Sequence, residues 1–251
     1  MRIYAVGDIH GQLELLRAAH RRIEADGGRD ARVVHVGDLV DRGPDSAGVI
    51  AYLLAGRAAG RDWQVLLGNH DRMMLRFLRD PAWIDPGLAK PLHWADHSGL
   101  GAAATLASYG VDVNQPRATL HRAALHAVPK KHLQFLAGLP LWLLTPRALF
   151  VHAGVRPGVD MQAQTEDDLV WIRRPFLDSA DDHGVLVVHG HTPIDRVAHL
   201  GNRLAIDTGA AYGGPLSVVA IEPDGSVMLL TDGGREPVQP FSPQGCAGQE
   251  K

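Results

Sequence analysis

RIYAVGD at residues 2–8, RVVHVGD at 32–38 and WQVLLGN at 63–69 follow one pattern: a short apolar run closes on a glycine and then a polar side chain. Each run has the length and the β-branched or aromatic content of a strand. Between them, apolar residues recur at helical spacing, Leu13, Leu16 and Ile23 in one interval and Val49, Ile50, Leu53 and Leu54 in the next, with Pro44 suited to a first helical turn. Strand, helix, strand alternation predicts parallel pairing, and open parallel sheets gather ligands at the carboxyl ends of their strands. Those ends are where Asp8, Asp38 and Asn69 stand.

Strand-like runs return after residue 140, as LWLLT, ALFVHAG, VLVVHGH, RLAIDTG, LSVVAIEP and VMLLTD, and together they read as a second sheet. The middle, 70–140, is helical and broken by Pro81, Pro86, Pro91 and Pro116, with GAAATLASYG as a close-packing helix. It is expected to form a lid or side wall inside one catalytic domain over 1–233. The segment 234–251 has little apolar content and three prolines, so a flexible tail is expected.

With 251 residues, 45% hydrophobic and 21% charged, the chain can bury a core of one large α/β domain. The net charge of −3 gives no electrostatic reason to expect nucleic acid or an anionic membrane as partner. Cys246, the single cysteine, excludes an intrachain disulfide and a thiolate-rich metal site. An aspartate at position 8 leaves no room for a signal peptide, and no apolar run reaches the roughly 18 residues of a membrane span, so a cytoplasmic protein is expected.

Five motifs carry the chemistry: Gly7-Asp8-Ile9-His10-Gly11, Gly37-Asp38-Leu39-Val40-Asp41-Arg42-Gly43, Gly68-Asn69-His70-Asp71, Val151-His152-Ala153-Gly154 and His189-Gly190-His191-Thr192-Pro193. Alone, each reads as a capped loop or a buried histidine. All five in order at strand ends offer carboxylate, imidazole and amide oxygen without sulfur, which suits Mn²⁺, Fe²⁺ or Zn²⁺ rather than copper.

The ordered set GDIHG, GDLVDRG, GNHD, VHAG and GHTP resembles the calcineurin-type metallophosphoesterases, and within them the bacterial and phage members of the phosphoprotein phosphatase family of serine/threonine phosphatases. The likeness covers about 2–232. It implies a two-sheet β-sandwich flanked by helices in four layers, and two divalent ions, Mn²⁺ foremost with Fe²⁺ or Zn²⁺ as alternatives. By motif position it makes Asp8 and His10 ligands of one ion, Asn69, His152 and His191 ligands of the other, and Asp38 the bridge. Charge supports that bridge independently: two cations roughly 3.5–4 Å apart need a shared anionic ligand, and Asp38 closes the middle strand of the first three.

The resemblance further implies attack by a hydroxide held between the ions, His70 as general acid and Asp41 as the carboxylate orienting it. Arg42, Asn69 and Arg173, the last in Trp171-Ile172-Arg173, are the phosphate-binding candidates. For Arg173 the alternatives are an ion pair with Asp167 or Asp168, and competition from Arg174. His189 is read as supporting, since Pro193 stands where a second histidine ligand would follow His191, and Asp207 as a group behind a histidine ligand. His93, His97, His121, His126 and His132 are expected mostly at the surface.

The full Asp41-Arg42-Gly43 and the GHTP and IDTG segments favour a protein serine/threonine phosphatase acting on phosphoproteins or phosphopeptides, with phosphotyrosine within range. Leu67 and Asp71 depart from the Arg-Gly-Asn-His-Glu of protein phosphatases and favour the alternative, a symmetrical diadenosine tetraphosphate hydrolase. A non-catalytic metal- or phosphoprotein-binding module is disfavoured by the complete ligand set, and a nuclease by the lack of a basic, aromatic track. Metal identity and oligomeric state are not legible.

Overall fold

The computed structural model describes residues 1–240; Cys246 and the rest of the expected tail beyond 240 lie outside the described residues. The chain begins β1 (Ile3–Val6), α1 (Leu13–Gly27), β2 (Arg32–His35), α2 (Ser46–Ala58), β3 (Trp63–Val65) and α3 (Asn69–Arg79). The three strands pair in parallel with β2 in the middle, as the repeated pattern predicts. Pro44 stands just before α2 rather than in its first turn, because Asp45 caps that helix through Gly48 N.

Three further helices follow, α4 (Ala102–Ser108), α5 (Arg117–Ala127) and α6 (Lys130–Ala137), and then β4 (Trp142–Leu144), β5 (Ala148–Val151), α7 (Glu166–Trp171), β6 (Leu186–His189), β7 (Ala198–His199), β8 (Arg203–Ala205), β9 (Val218–Ile221), β10 (Val227–Thr231) and β11 (Gly234–Pro237). They form two sheets, in the orders β11-β10-β9-β1-β2-β3 and β4-β5-β6-β8-β7. Two strands therefore depart from expectation: β9 and β10 join the first sheet, β9 running antiparallel beside β1. Strand propensity does not encode the partner. The tail boundary at 234 is corrected as well, since Gly234–Pro237 is an edge strand paired with β10.

Alternation along the strands builds the layers. Ile3 and Ala5 of β1, Ala148 and Phe150 of β5, and Val219 and Ile221 of β9 point into the core between the sheets. The intervening Tyr4, Val6, Val218 and Ala220 face a second core roofed by α1 to α6, and Leu149 and Val151 face a third under α7 and Phe176. The four-layer sandwich follows from strands apolar on both faces. The expected side wall over 70–140 is helical, and most of it packs into the core shared with α1 and α2.

Beneath α1, His20 and His35 are buried with their Nε2 atoms 2.9 Å apart, so one ring donates and the other accepts. Burial pushes His35 down to about 4. Below its ordinary value near 6.5 the unfolded chain binds a proton that this folded ring refuses, so stability is lost as pH falls from 6.5 toward 4. The expected cost at pH 5 is about 2 kcal/mol from His35. Urea unfolding at pH 7.5 and pH 5 checks it; equal stabilities would contradict it.

Candidate metal centre

Backbone bonds join the loop after β1 to that after β2 and the loop after β5 to that after β6. The Asp71, Asp38 and Asp8 side chains, accepting from Leu39 N, His70 N and His191 N, link the loop after β3 and the two pairs. Ile9 and His10 donate their N–H groups to Asp38 O at 3.1 and 2.7 Å, Gly11 N to Leu39 O at 2.8 Å, and Gly190 N to His152 O at 2.8 Å. Among the described residues, the non-glycine positions with positive φ are His10, Asp38, Asp41, Arg42 and His191, every one in a sequence motif. Left-handed backbone costs about 1 kcal/mol or more at such residues and persists only where surroundings enforce it. Here the surroundings are the interlocked loops.

Two compact groups of donor atoms result, His10, Asp38 and His70, and Asp38, His152 and His191, each with its atoms within 4.8 Å of one another. Asp38 belongs to both. Its Oδ2 lies 3.4 Å from His10 Nε2 and its Oδ1 3.4 Å from His152 Nε2. His10 Nδ1 donates to Val40 O at 2.8 Å and His152 Nδ1 to Val36 O at 2.9 Å. Those carbonyls can only accept, so the N–H of each ring sits on Nδ1. Burial pushes His10 down to about 3 and lowers His152, which favours the neutral form of each ring. Each Nε2 therefore turns a lone pair toward a carboxylate oxygen, an arrangement suited to a cation on either side of Asp38, and on the His10 side the Arg42 guanidinium already lies 2.6 Å from that nitrogen.

The remaining expected ligands converge on the same place. Asn69 Oδ1 is 2.9 Å from both His152 Nε2 and His191 Nδ1. Asp8 falls outside the two compact groups but lies beside them: its Oδ2 accepts from His191 N at 3.0 Å, and its Oδ1 is buried without a hydrogen-bond partner. Burial, then Asp207 and Asp38, push the Asp8 carboxyl well above the usual range. Clustered buried carboxylates, neutral imidazoles and an orphaned oxygen fit bound divalent ions. Asp207, expected behind a histidine, is instead grouped with Asp8 and Asp38, its Oδ1 accepting from Gly209 N at 3.0 Å. His189 is buried edge-on to Phe176, and burial takes it down to about 4.

A second constellation borders the first. His70 Nδ1 lies 2.6 Å from the buried Asp41 Oδ2, and its Nε2 lies 3.0 Å from Arg42 Nη2. Arg42 also reaches His10 Nε2 at 2.6 Å and stacks on the exposed ring of Tyr212. Arg173 is exposed, and its charge bears on His152 and His191. Its alternatives are otherwise engaged: Asp167 pairs with Arg72, Asp168 with Arg156, and Arg174 with Asp178.

Three roles were not read from the sequence. Asp71 accepts from Leu39 N at 2.9 Å and Gly68 N at 3.0 Å, tying the second metal loop to the third. Trp94 and Thr105 hold Asp41, although nothing local in their segments marks them. His132, expected at the surface, is buried and bonded to Tyr109 Oη at 2.9 Å, because α6 packs inward.

Gly190 shows how tightly the site is built: a Cβ there would lie 1.9 Å from Asp8 Oδ1. Gly190→Ala is expected to displace Asp8 and weaken metal affinity by roughly 10- to 100-fold, the range for disturbed ligand support. Titration of the apo-protein with Mn²⁺ measures it, and unchanged affinity would contradict the packing described.

A family model described as calcineurin-like phosphoesterase matches residues 1–220, and the chain belongs to that family. It is 30% identical over 234 residues to serine/threonine-protein phosphatase 1 of Salmonella typhimurium, covering 88% of this chain and 92% of that protein. Over 157 residues it is 34% identical to the symmetrical bis(5'-nucleosyl)-tetraphosphatase of a Janthinobacterium species, covering 62% of this chain and 45% of that protein. The crystal structure of a cold-active protein-tyrosine phosphatase from a psychrophilic Shewanella shares the fold, with a TM-score of 0.60 at 19% identity, over 95% of this chain and 80% of that one. The chain is thus a metal-dependent phosphoesterase. No helix among the described residues is long and apolar enough to cross a membrane.

Proposed function

We propose that the chain is a dinuclear phosphomonoesterase acting on phosphoproteins, with phosphoserine and phosphothreonine as its main substrates and phosphotyrosine within its range. One observation carries its dinuclear part, each oxygen of Asp38 lying 3.4 Å from an imidazole Nε2, and the likeness to serine/threonine-protein phosphatase 1 along 88% of the chain supports the substrate class. His10 and Asp8 on one side, and Asn69, His152 and His191 on the other, would hold two divalent ions, Mn²⁺ by preference. When bound, such ions acidify a coordinated water and offset phosphate charge.

The chain's own groups supply the rest. Arg42, half-buried between His70 and Tyr212, can bind two phosphoryl oxygens with its planar fork, and Arg173 can do so from the solvent side. The Asp41 carboxylate accepts the His70 Nδ1–H, which fixes the ring; Nε2 accepts from Arg42 Nη2 at 3.0 Å and carries the proton for the departing alkoxide once Arg42 turns to the phosphoryl oxygens.

A second reading, dinucleoside polyphosphate hydrolysis, is favoured by Leu67 and Asp71 and by the likeness to tetraphosphatases. In this fold Leu67 is buried in the core, and Asp71 braces two loops, a task independent of the substrate. That lowers their weight as substrate markers. Steady-state kcat/KM compared across phosphopeptides and diadenosine tetraphosphate with Mn²⁺ present decides. A higher value for at least one phosphopeptide is expected; tetraphosphate exceeding every phosphopeptide by orders of magnitude would overturn the proposal. Normal metal binding without p-nitrophenyl phosphate hydrolysis would instead leave a binding module.

A further inference from the structure

The pair His70–Asp41 depends on side chains far away in sequence. Asp41 is fully buried, and both of its carboxylate oxygens are occupied. Oδ2, which accepts from His70 Nδ1 at 2.6 Å, also accepts from Trp94 Nε1 at 2.8 Å, while Oδ1 accepts from Thr105 Oγ1 at 2.7 Å. Thr105 Oγ1 in turn accepts from Asp41 N at 2.7 Å, with Ser46 Oγ 3.1 Å away and 3.2 Å from the same N–H. Both the backbone and the carboxylate of Asp41, a residue at φ +74°, are therefore gripped by the segment after α3 and by α4.

The indole N–H can only donate. With Trp94 Nε1 on Oδ2 and Thr105 Oγ1 on Oδ1, the plane of the carboxylate is fixed and Oδ2 is held 2.6 Å from His70 Nδ1. The orientation of the His70 ring is thereby supported from two residues outside the sequence motifs, Trp94 and Thr105. Trp94 is itself fixed, buried against Phe77 with ring centres 5.2 Å apart.

We infer that Trp94 and Thr105 are positioning residues of the proton-donating step, holding Asp41 so that His70 presents Nε2 to the leaving group. The inference rests on His70 being the general acid. It gives the middle segment a part in turnover beyond forming a wall.

Leaving-group dependence tests it. Trp94→Phe keeps the ring and removes the N–H, Thr105→Val removes the hydroxyl at equal size, and Thr105→Ser restores it. With Mn²⁺-loaded enzyme, Trp94→Phe and Thr105→Val are expected to lower kcat on a phosphoserine peptide by roughly tenfold, with KM little changed. On p-nitrophenyl phosphate, whose leaving group needs little protonation, the loss is expected to be several-fold smaller, and Thr105→Ser should recover the peptide rate. Thermal unfolding identifies a variant that fails to fold, and the Thr105 pair then carries the test. Equal losses on both substrates, while His70→Asn discriminates between them, would overturn the inference alone. Equal losses for His70→Asn too would remove His70 from the acid role and the inference with it.

Discussion

Asp38→Asn is expected to lower kcat/KM by at least about a thousandfold and to reduce bound metal from two ions per chain to one or none. The substitution removes one negative charge and the second anionic oxygen while keeping volume. Two cations would then lack the anion that offsets their mutual repulsion. Misfolding is a poor alternative explanation. Asn tolerates the φ of +50° at this position, and its amide oxygen can still accept from His70 N, which reaches Asp38 Oδ1 at 3.0 Å. Wild-type metal content in the variant would mean that the two donor groups do not share Asp38.

His70→Asn is expected to behave differently, keeping both ions while slowing turnover of a phosphoserine peptide by roughly 10²- to 10⁴-fold, the usual contribution of a general acid. On p-nitrophenyl phosphate the loss should be far smaller. Metal content matters here because His70 also lies within a compact donor group with His10 and Asp38. By distance alone it could be a ligand. What sets it apart is the partner of Nδ1, the buried Asp41 carboxylate at 2.6 Å, where His10 and His152 each place Nδ1 on a backbone carbonyl. Loss of one ion would make it a ligand, and equal losses on the two substrates would exclude proton donation.

The candidate site was more legible in the sequence than the sheets were. Asp8, Asp38 and Asn69 stand directly after short apolar runs, and a parallel sheet places such ends together whatever the helices do. Local pattern and site coincide there. The partner of β9 was not legible, because VVAI is apolar on both faces and suits either sheet until β1 pairs with it. Nor was β11, where Gly, Arg, Glu and Pro hide a strand held by backbone bonds at a sheet edge.

Contacts distant in sequence account for the rest. Trp94 and Thr105 reach Asp41 across 53 and 64 residues, and their neighbourhoods show only a loop and an alanine-rich helix. Arg173 and Arg174 are indistinguishable by type and adjacent by number. Only the fold separates them, pairing Arg174 with Asp178 at 3.3 Å. Asp207 was placed near the metals by motif, but its grouping with Asp8 and Asp38 depends on which loops meet at the sheet ends.

The central claim is a pair of divalent ions bridged by Asp38, and anomalous diffraction from crystals grown with Mn²⁺ tests it most directly. Two peaks are expected on either side of the Asp38 carboxylate, roughly 3.5–4 Å apart, one toward His10 and the other toward His152 and His191. A single peak at that carboxylate, or none, would contradict the account.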